Sequence, residues 1–214
     1  MNTVTVQQLP ALFAEVSRIF DEKKEELCAL DAKTGDGDLG LTMSKGFGAL
    51  PGLLKDNAEE NDVGKSLMKT AIRMSSVVPS TMGTLMASGL LEGGKALKGA
   101  KEMGSKEFCT FLSGFAAGIQ KRGKCKRGDR TLLDAIGPAA EEAGKALAQR
   151  PSARLSEVVC EAVQGARGGV EATRKMTPKF GKAAVFAEKA VGTPDQGALA
   201  GFYLLLGMKN GIGK

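Results

Sequence analysis

The feature that most constrains this chain is the lack of strand-length alternation, set against apolar residues recurring every three or four positions. Runs of β-branched residues with a period of two do not recur, and Ala, Leu, Met, Lys and Glu dominate instead. Between Val6 and Leu30, the residues Leu9, Leu12, Phe13, Val16, Ile19, Phe20, Leu27 and Leu30 fall on one helical face. Pro10 stands near the start of that helix, where its missing N–H costs least. Further helices are expected at about 40–54, 60–77, 82–99, 105–122, 131–148, 154–176 and 196–208. Ser105 opens one of them, and Asp129 is expected to cap another. Pro151-Ser152 separates two helices, and Thr193-Pro194-Asp195 introduces the last.

The stretch 177–195 is irregular and reads as a long loop with one short helix at about 183–190. Long loops inside compact domains are often functional. No repeat, low-complexity tract or linker interrupts residues 1–214, so one all-α domain of eight or so helices is expected.

The chain contains no His and no Trp. Histidine bases, phosphohistidine carriers and imidazole metal ligands are therefore excluded, along with Ser-His-Asp and Cys-His nucleophile sites. Carboxylates, hydroxyls, Lys, Arg and backbone amides remain. Phosphoryl transfer suits that inventory, because it depends mostly on positioning and electrostatics.

Glycine is in excess, 29 of 214 residues, without periodicity. Close helix approach and backbone-lined ligand loops explain it better than a fibrous or linker reading. Cys28, Cys109, Cys125 and Cys160 stand far apart with no CxxC pair, as expected of reduced thiols in a cytosolic protein. The opening MNTVTVQQLP lacks a signal pattern, and the longest apolar run, Ala198 to Met208, is too short to span a bilayer. A soluble, cytoplasmic chain with no membrane partner is expected.

The net charge is +6, and the basic residues are densest at Lys121, Arg122, Lys124, Lys126 and Arg127. No aromatic residue is interleaved there for base stacking, so no nucleic-acid partner is expected. A phosphate-bearing small molecule or an acidic protein explains the charge as easily.

The strongest chemical signal is Asp31-Ala-Lys-Thr-Gly35-Asp36-Gly37-Asp38-Leu39-Gly40, at the junction of two helices. Carboxylate oxygens suit Mg2+, which also keeps phosphate or water oxygens in its shell. The glycines allow backbone N–H groups to approach an anion, and the helix starting at the end of the loop offers its positive end. The plainer reading is an Asp-Gly turn with ordinary capping, but Asp31 and the following Gly40-x-Thr42 weigh against it. An EF-hand fails, because the twelfth position from Asp36 is Phe47 rather than Glu. Val63-Gly64-Lys65-Ser66 is no Walker A loop, since Glu59 stands where the first Gly is needed. The Ser75–Thr84 segment, Gly128-Asp129-Arg130-Thr131 and Thr193-Pro194-Asp195-Gln196-Gly197 each read, alone, as ordinary turns or capped helix starts.

Taken together these pieces resemble, in order and spacing, the nucleotide-binding subunit of dihydroxyacetone kinase. The same domain forms the C-terminal part of single-chain ATP-dependent dihydroxyacetone kinases. The resemblance runs from about residue 20 to about residue 205. It rests on LDAKTGDGDLGLTM at 30–43, GKCKRGDRTLLDAIGPA at 123–139, ATRKMTPKFGKAA at 172–184 and VGTPDQGA at 191–198. It implies an eight-helix barrel with ADP or ATP bound at one end through two Mg2+ ions. The metal-binding aspartates of the family match Asp31, Asp36 and Asp38, and its phosphate turn matches Leu39, Gly40, Leu41 and Thr42. Its small-residue loop matches Ser80 and Thr81, and further nucleotide contacts match Gly123, Leu132, Lys182, Asp195, Gln196 and Gly197.

The chain also departs from the family pattern. Leu39 stands where His is frequent, Thr42 where Asn is frequent, and Lys182 where the family has Arg. Val77-Val78-Pro79-Ser80-Thr81 replaces a Gly-Gly-x-Ser-Gly type of loop. A divergent relative is implied, serving a small hydroxyketone or sugar.

By the same resemblance the chain is a phosphoryl-donor subunit with no covalent catalytic residue of its own. The acceptor is held through a histidine of a separate substrate-binding subunit. The donor is either exchangeable ATP or retained ADP rephosphorylated by a phosphotransferase-system protein, and a homodimer is left open. The alternative is a non-catalytic nucleotide-sensing or regulatory module that binds a protein partner.

Overall fold

The computed structural model describes residues 2–185 and 187–213. A two-residue strand β1 (Val4–Thr5) and a 3-10 turn lead into α1 (Leu9–Glu22), which buries Leu9, Leu12, Phe13, Val16, Ile19 and Phe20. The single helix expected over Val6–Leu30 is broken at Lys23, whose φ of −100° and ψ of 6° are not helical. The reason is visible in the sequence. Residues 21–26 are all charged, so no apolar side chain anchors the helix to the core between Phe20 and Leu27. The chain then continues as α2 (Lys24–Asp31).

Next come α3 (Leu39–Asp56), α4 (Val63–Val77), α5 (Thr81–Ala96), strand β2 (Glu102–Met103) and α6 (Ser105–Gly123). The chain ends with α7 (Leu133–Gln149), α8 (Leu155–Thr173), the short α9 (Gly181–Val185) and α10 (Ala187–Ala190), and α11 (Gln196–Ile212). The helix expected at 183–190 is thus seen as α9 and α10, with Phe186 outside the described residues. The other helix boundaries agree with expectation to within a few residues. Asp129 does not cap α7, whose N-cap position is Leu132. Instead the Asp129 carboxylate accepts from the Lys126 N–H and pairs with Lys179 Nζ, each at 2.8 Å.

The long helices close a ring. In turn α1 packs on α3, α3 on α4, α4 on α5, α5 on α6, α6 on α7 and α7 on α8. Then α8 packs on α11, and α11 returns to α1. With the α1–α2 pair counted as one wall, this is the expected eight-helix barrel. The antiparallel pairing of β1 with β2, Val4 opposite Met103, ties the N-terminal strand to the connection between α5 and α6.

Six phenylalanines (Phe13, Phe20, Phe47, Phe108, Phe111 and Phe115) are fully buried, and Phe20 stacks on Phe47 with centroids 4.5 Å apart. Much of the glycine excess lies in the helix seams. A Cβ on Gly89 or Gly93 would overlap the rings of Phe115 and Phe111 across the α5–α6 seam. One on Gly165 would overlap the Pro138 carbonyl across the α7–α8 seam. Close-packed interiors leave no room for such an addition, so these positions draw neighbouring helices together. Among the described residues, no helix is long and apolar enough to cross a membrane.

Candidate functional site

At one end of the barrel α2 finishes and α3, α5 and α11 begin. The turn between α2 and α3 is built around Asp31, which is buried at the last position of α2. Its Oδ2 accepts from the N–H groups of Gly37, Asp38 and Leu39 at 2.9, 3.2 and 3.4 Å. Gly37 adopts a φ of +78°, a region that an L side chain would strain. The turn throws Asp36 and Asp38 outward beside Asp31. One carboxylate oxygen from each of the three residues lies within 4.8 Å of the others.

Gly40 seats α3 against α2. A Cβ there would overlap the Lys24 carbonyl oxygen and meet Cys28 Sγ at 2.8 Å. Its role is therefore close approach, which fixes the start of α3 over the acidic turn.

The carboxylates border a cavity of about 550 Å3. Leu39 and Thr42 from α3, Ser80 and Thr81 from α5, and Gln196 and Gly197 from α11 contribute to its wall. Three helix N-termini thus meet around one space. Each has N–H groups without helical partners and the positive end of a helix dipole. Ser80 caps α5 by accepting from the Gly83 N–H at 3.0 Å, and Asp195 caps α11 by accepting from the Ala198 N–H at 2.8 Å. Gln196 Nε2 donates to Asp31 Oδ1 at 3.4 Å, linking α11 to the acidic turn. Such a wall attracts anions, while the three carboxylates beside it attract a hard cation. That donor set, all oxygen and free of imidazole or thiolate, fits Mg2+.

Other expected site residues are distributed unevenly. Leu132, Lys182 and Asp195 line the same cavity. Gly123 lines an adjoining space of about 430 Å3 that shares Ser80, Thr81, Leu85, Thr131, Leu132, Phe180 and Gly181 with the first. Gly40 lies behind the wall rather than on it, and Leu41 is 57% exposed and outside it.

The electrostatics of the mouth centre on Lys182, whose Nζ lies 2.9 Å from Asp36 Oδ2. The hydrogen bond from Lys182 holds the Asp36 carboxyl below the usual carboxylate range, and the same bond raises the Lys182 ammonium. Asp195 is 5% exposed, and burial pushes its carboxyl up to about 6, against the hydrogen bond from Ala198 and the field of Arg130.

Phe180 and Arg130 are among the cavity residues that sequence reading missed. Arg130 is 4% exposed and has a φ of +59°. The only hint was its place in the Gly128-Asp129-Arg130-Thr131 run, which looked like a helix start. In fact the Asp134 carboxylate ties this loop down, accepting from Gly128 at 2.5 Å and from Thr131 at 2.8 Å.

A ring of helices with an acidic turn and converging N-termini at one end defines an α-barrel that presents carboxylates and helix starts to one cavity. The family model described as the DAK2 domain matches residues 33–210, and the chain belongs to that family. It is 30% identical to the triokinase/FMN cyclase of Rattus norvegicus over 92% of this chain and 33% of that protein. It therefore spans about a third of the length of such relatives. It is 28% identical to the ADP-binding subunit DhaL of PEP-dependent dihydroxyacetone kinase 2 from Listeria innocua, over 89% of this chain and 88% of that protein. The corresponding Escherichia coli subunit is 26% identical over 87% of this chain and 88% of its own length. The fold is also that of the C. freundii dihydroxyacetone kinase solved in complex with AMP-PNP and Mg2+. That match has a TM-score of 0.68 at 23% identity and covers 94% of this chain and 33% of that one.

Proposed function

We propose that this chain is the phosphoryl-donor subunit of a kinase acting on dihydroxyacetone or a related small hydroxyketone or sugar. The observation that carries the reading is the cluster of Asp31, Asp36 and Asp38, their oxygens within 4.8 Å of one another, beside a cavity walled by three helix N-termini. Those aspartates would hold two Mg2+ ions, which when bound offset the charge of the nucleotide phosphates. The bacterial relatives covered along most of their length are called ADP-binding subunits of PEP-dependent kinases, which favours ADP as the resident nucleotide over exchangeable ATP.

The chain's own residues bind and orient. N–H groups at the starts of α3, α5 and α11 face the phosphates, and Lys182 adds a mobile positive charge at the mouth. Leu39, Thr42, Ser80, Thr81, Gln196 and Gly197 form the walls, while the adjoining space at Gly123 and Leu132 accepts the rest of the nucleotide. No residue of this chain forms a covalent intermediate.

The acceptor sits on a substrate-binding partner subunit, because this chain has no histidine to hold a hydroxyketone. The partner docks over the cavity end, where the exposed apolar residues Leu41, Phe180, Val185 and Val191 lie on α3 and the 177–195 loop. A phosphotransferase-system protein would recharge ADP at the same end. Residues 1–214 act as one nucleotide-binding domain in the cytoplasm.

Calorimetry with MgADP tests the reading. Asp36→Ala should abolish Mg2+-dependent nucleotide binding while leaving the circular dichroism spectrum unchanged. Unchanged affinity in that variant would overturn the site assignment.

A further inference from the structure

Arg130 is a buried cation that the protein does not neutralise or saturate. Its Nη2 donates to the carbonyl oxygens of Ala190 and Thr193 at 2.8 and 2.9 Å, and to Thr193 Oγ1 at 3.3 Å. Its Nε and Nη1 are buried with no hydrogen-bond partner among the described residues. No carboxylate among the described residues forms an ion pair with it, and the Asp195 carboxylate is engaged in capping α11. Burial lowers the Arg130 guanidinium's pKa, with Asp195 opposing that shift from a distance.

A buried polar group left without a partner is costly, and more so a charged one. Native proteins seldom keep such a group unless a water, an ion, a ligand or a functional role accounts for it, and a cationic fork lining a cavity suits an anion. Arg130 also lines the cavity, next to Thr131 in the chain and bonded to the 190–195 segment.

We propose that Arg130 binds a diphosphate-type anion of the cavity ligand through Nε and Nη1 while its Nη2 holds the 190–195 segment. Anion binding and the order of that segment are then coupled through one side chain. The 190–195 segment leads directly into the Asp195 cap and Gln196, which donates to Asp31. A phosphate on Arg130 therefore steadies the wall that faces the acidic turn. The assignment deepens the nucleotide reading and rests on it for the identity of the anion. Arginine suits the task because its rigid planar fork can hold the carbonyls on one edge and an anion on the other, a geometry that the single nitrogen of a lysine ammonium cannot reproduce.

The test compares wild type, Arg130→Gln and Arg130→Lys by calorimetry with ADP, adenosine and pyrophosphate, each with Mg2+. Hydrogen exchange of residues 190–195 is followed in the same samples. Both variants should lose about 10–100-fold in affinity for ADP and pyrophosphate, as expected for lost charge-assisted hydrogen bonds, while adenosine binding holds. Anion binding should slow exchange at 190–195 in wild type and fail to do so in the variants. Equal weakening of ADP and adenosine would mean that Arg130 only supports the fold, and would overturn the proposal. So would unchanged pyrophosphate affinity in either variant. If wild type binds pyrophosphate through Arg130 but no ADP, the nucleotide reading falls and the anion site stands. If wild type binds neither, both fall. Arg130→Lys keeps the test valid should the Gln variant fail to fold.

Discussion

Lys182 Nζ lies 2.9 Å from Asp36 Oδ2, joining residues 146 positions apart in the chain and tying the start of α9 to the acidic turn. Both side chains are largely exposed, so the pair is screened by salt and exchangeable. On the proposed reading, Lys182 would stand in for the cation that the three aspartates bind, and would be freed toward the cavity once that cation is bound.

Lys182→Met should therefore separate two affinities. Binding of Mn2+ alone, read by electron paramagnetic resonance, should be at least as tight as in wild type, because a competing cation is gone. Binding of MgADP, read by calorimetry, should weaken about tenfold for want of a charge facing phosphate. Weaker Mn2+ binding with unchanged ADP affinity would contradict this account of Lys182.

Gly40→Ala places a methyl group where the Lys24 carbonyl and Cys28 Sγ already lie. Backbone cannot step aside as the end of a flexible side chain can, so α3 must shift away from α2. A loss of about 2–3 kcal/mol in unfolding free energy is expected from overpacking of this kind. Nucleotide affinity should fall with it, because the acidic turn depends on the start of α3. Urea denaturation and calorimetry on the same preparation check both. A stability equal to wild type would show that the seam is looser than its geometry indicates.

Asp195 gives a prediction for pH. Its folded carboxyl titrates at about 6, above the ordinary 3.8, so the folded state holds its proton more tightly than the unfolded one. The associated stability is fully present below the unfolded value and is lost as pH rises through about 6. Asp195→Asn removes the titration while keeping a residue able to cap α11. Relative to wild type the variant should gain stability between pH 4 and pH 7, by roughly 2 kcal/mol for a shift of this size. Denaturation curves at the two pH values measure the gain. A difference between the proteins that does not change with pH would contradict it.

The helices were legible because apolar spacing and punctuation agree along most of the chain. Leu9 through Phe20 and the Phe108–Phe115 face of α6 each bury the residues that their periodicity selects. The break at Lys23 was not, because a fully charged stretch keeps helical propensity while losing its hold on the core. The acidic turn was legible because three aspartates and three glycines in ten residues are rarely needed for a turn alone. Arg130 was not legible, since its meaning depends on carbonyls of Ala190 and Thr193 some sixty residues away. Asp129 shows the same limit. Its position suggested a helix cap, yet its partner is Lys179, brought close only by the folded ring.

The central claim is that Asp31, Asp36 and Asp38 hold divalent cations against a nucleotide diphosphate. Crystals grown with ADP and Mn2+ test it directly through the anomalous scattering of manganese. The account predicts manganese peaks among these three carboxylates, with the diphosphate beside the starts of α3, α5 and α11. Manganese bound elsewhere, or ADP bound away from this end of the barrel, would contradict it.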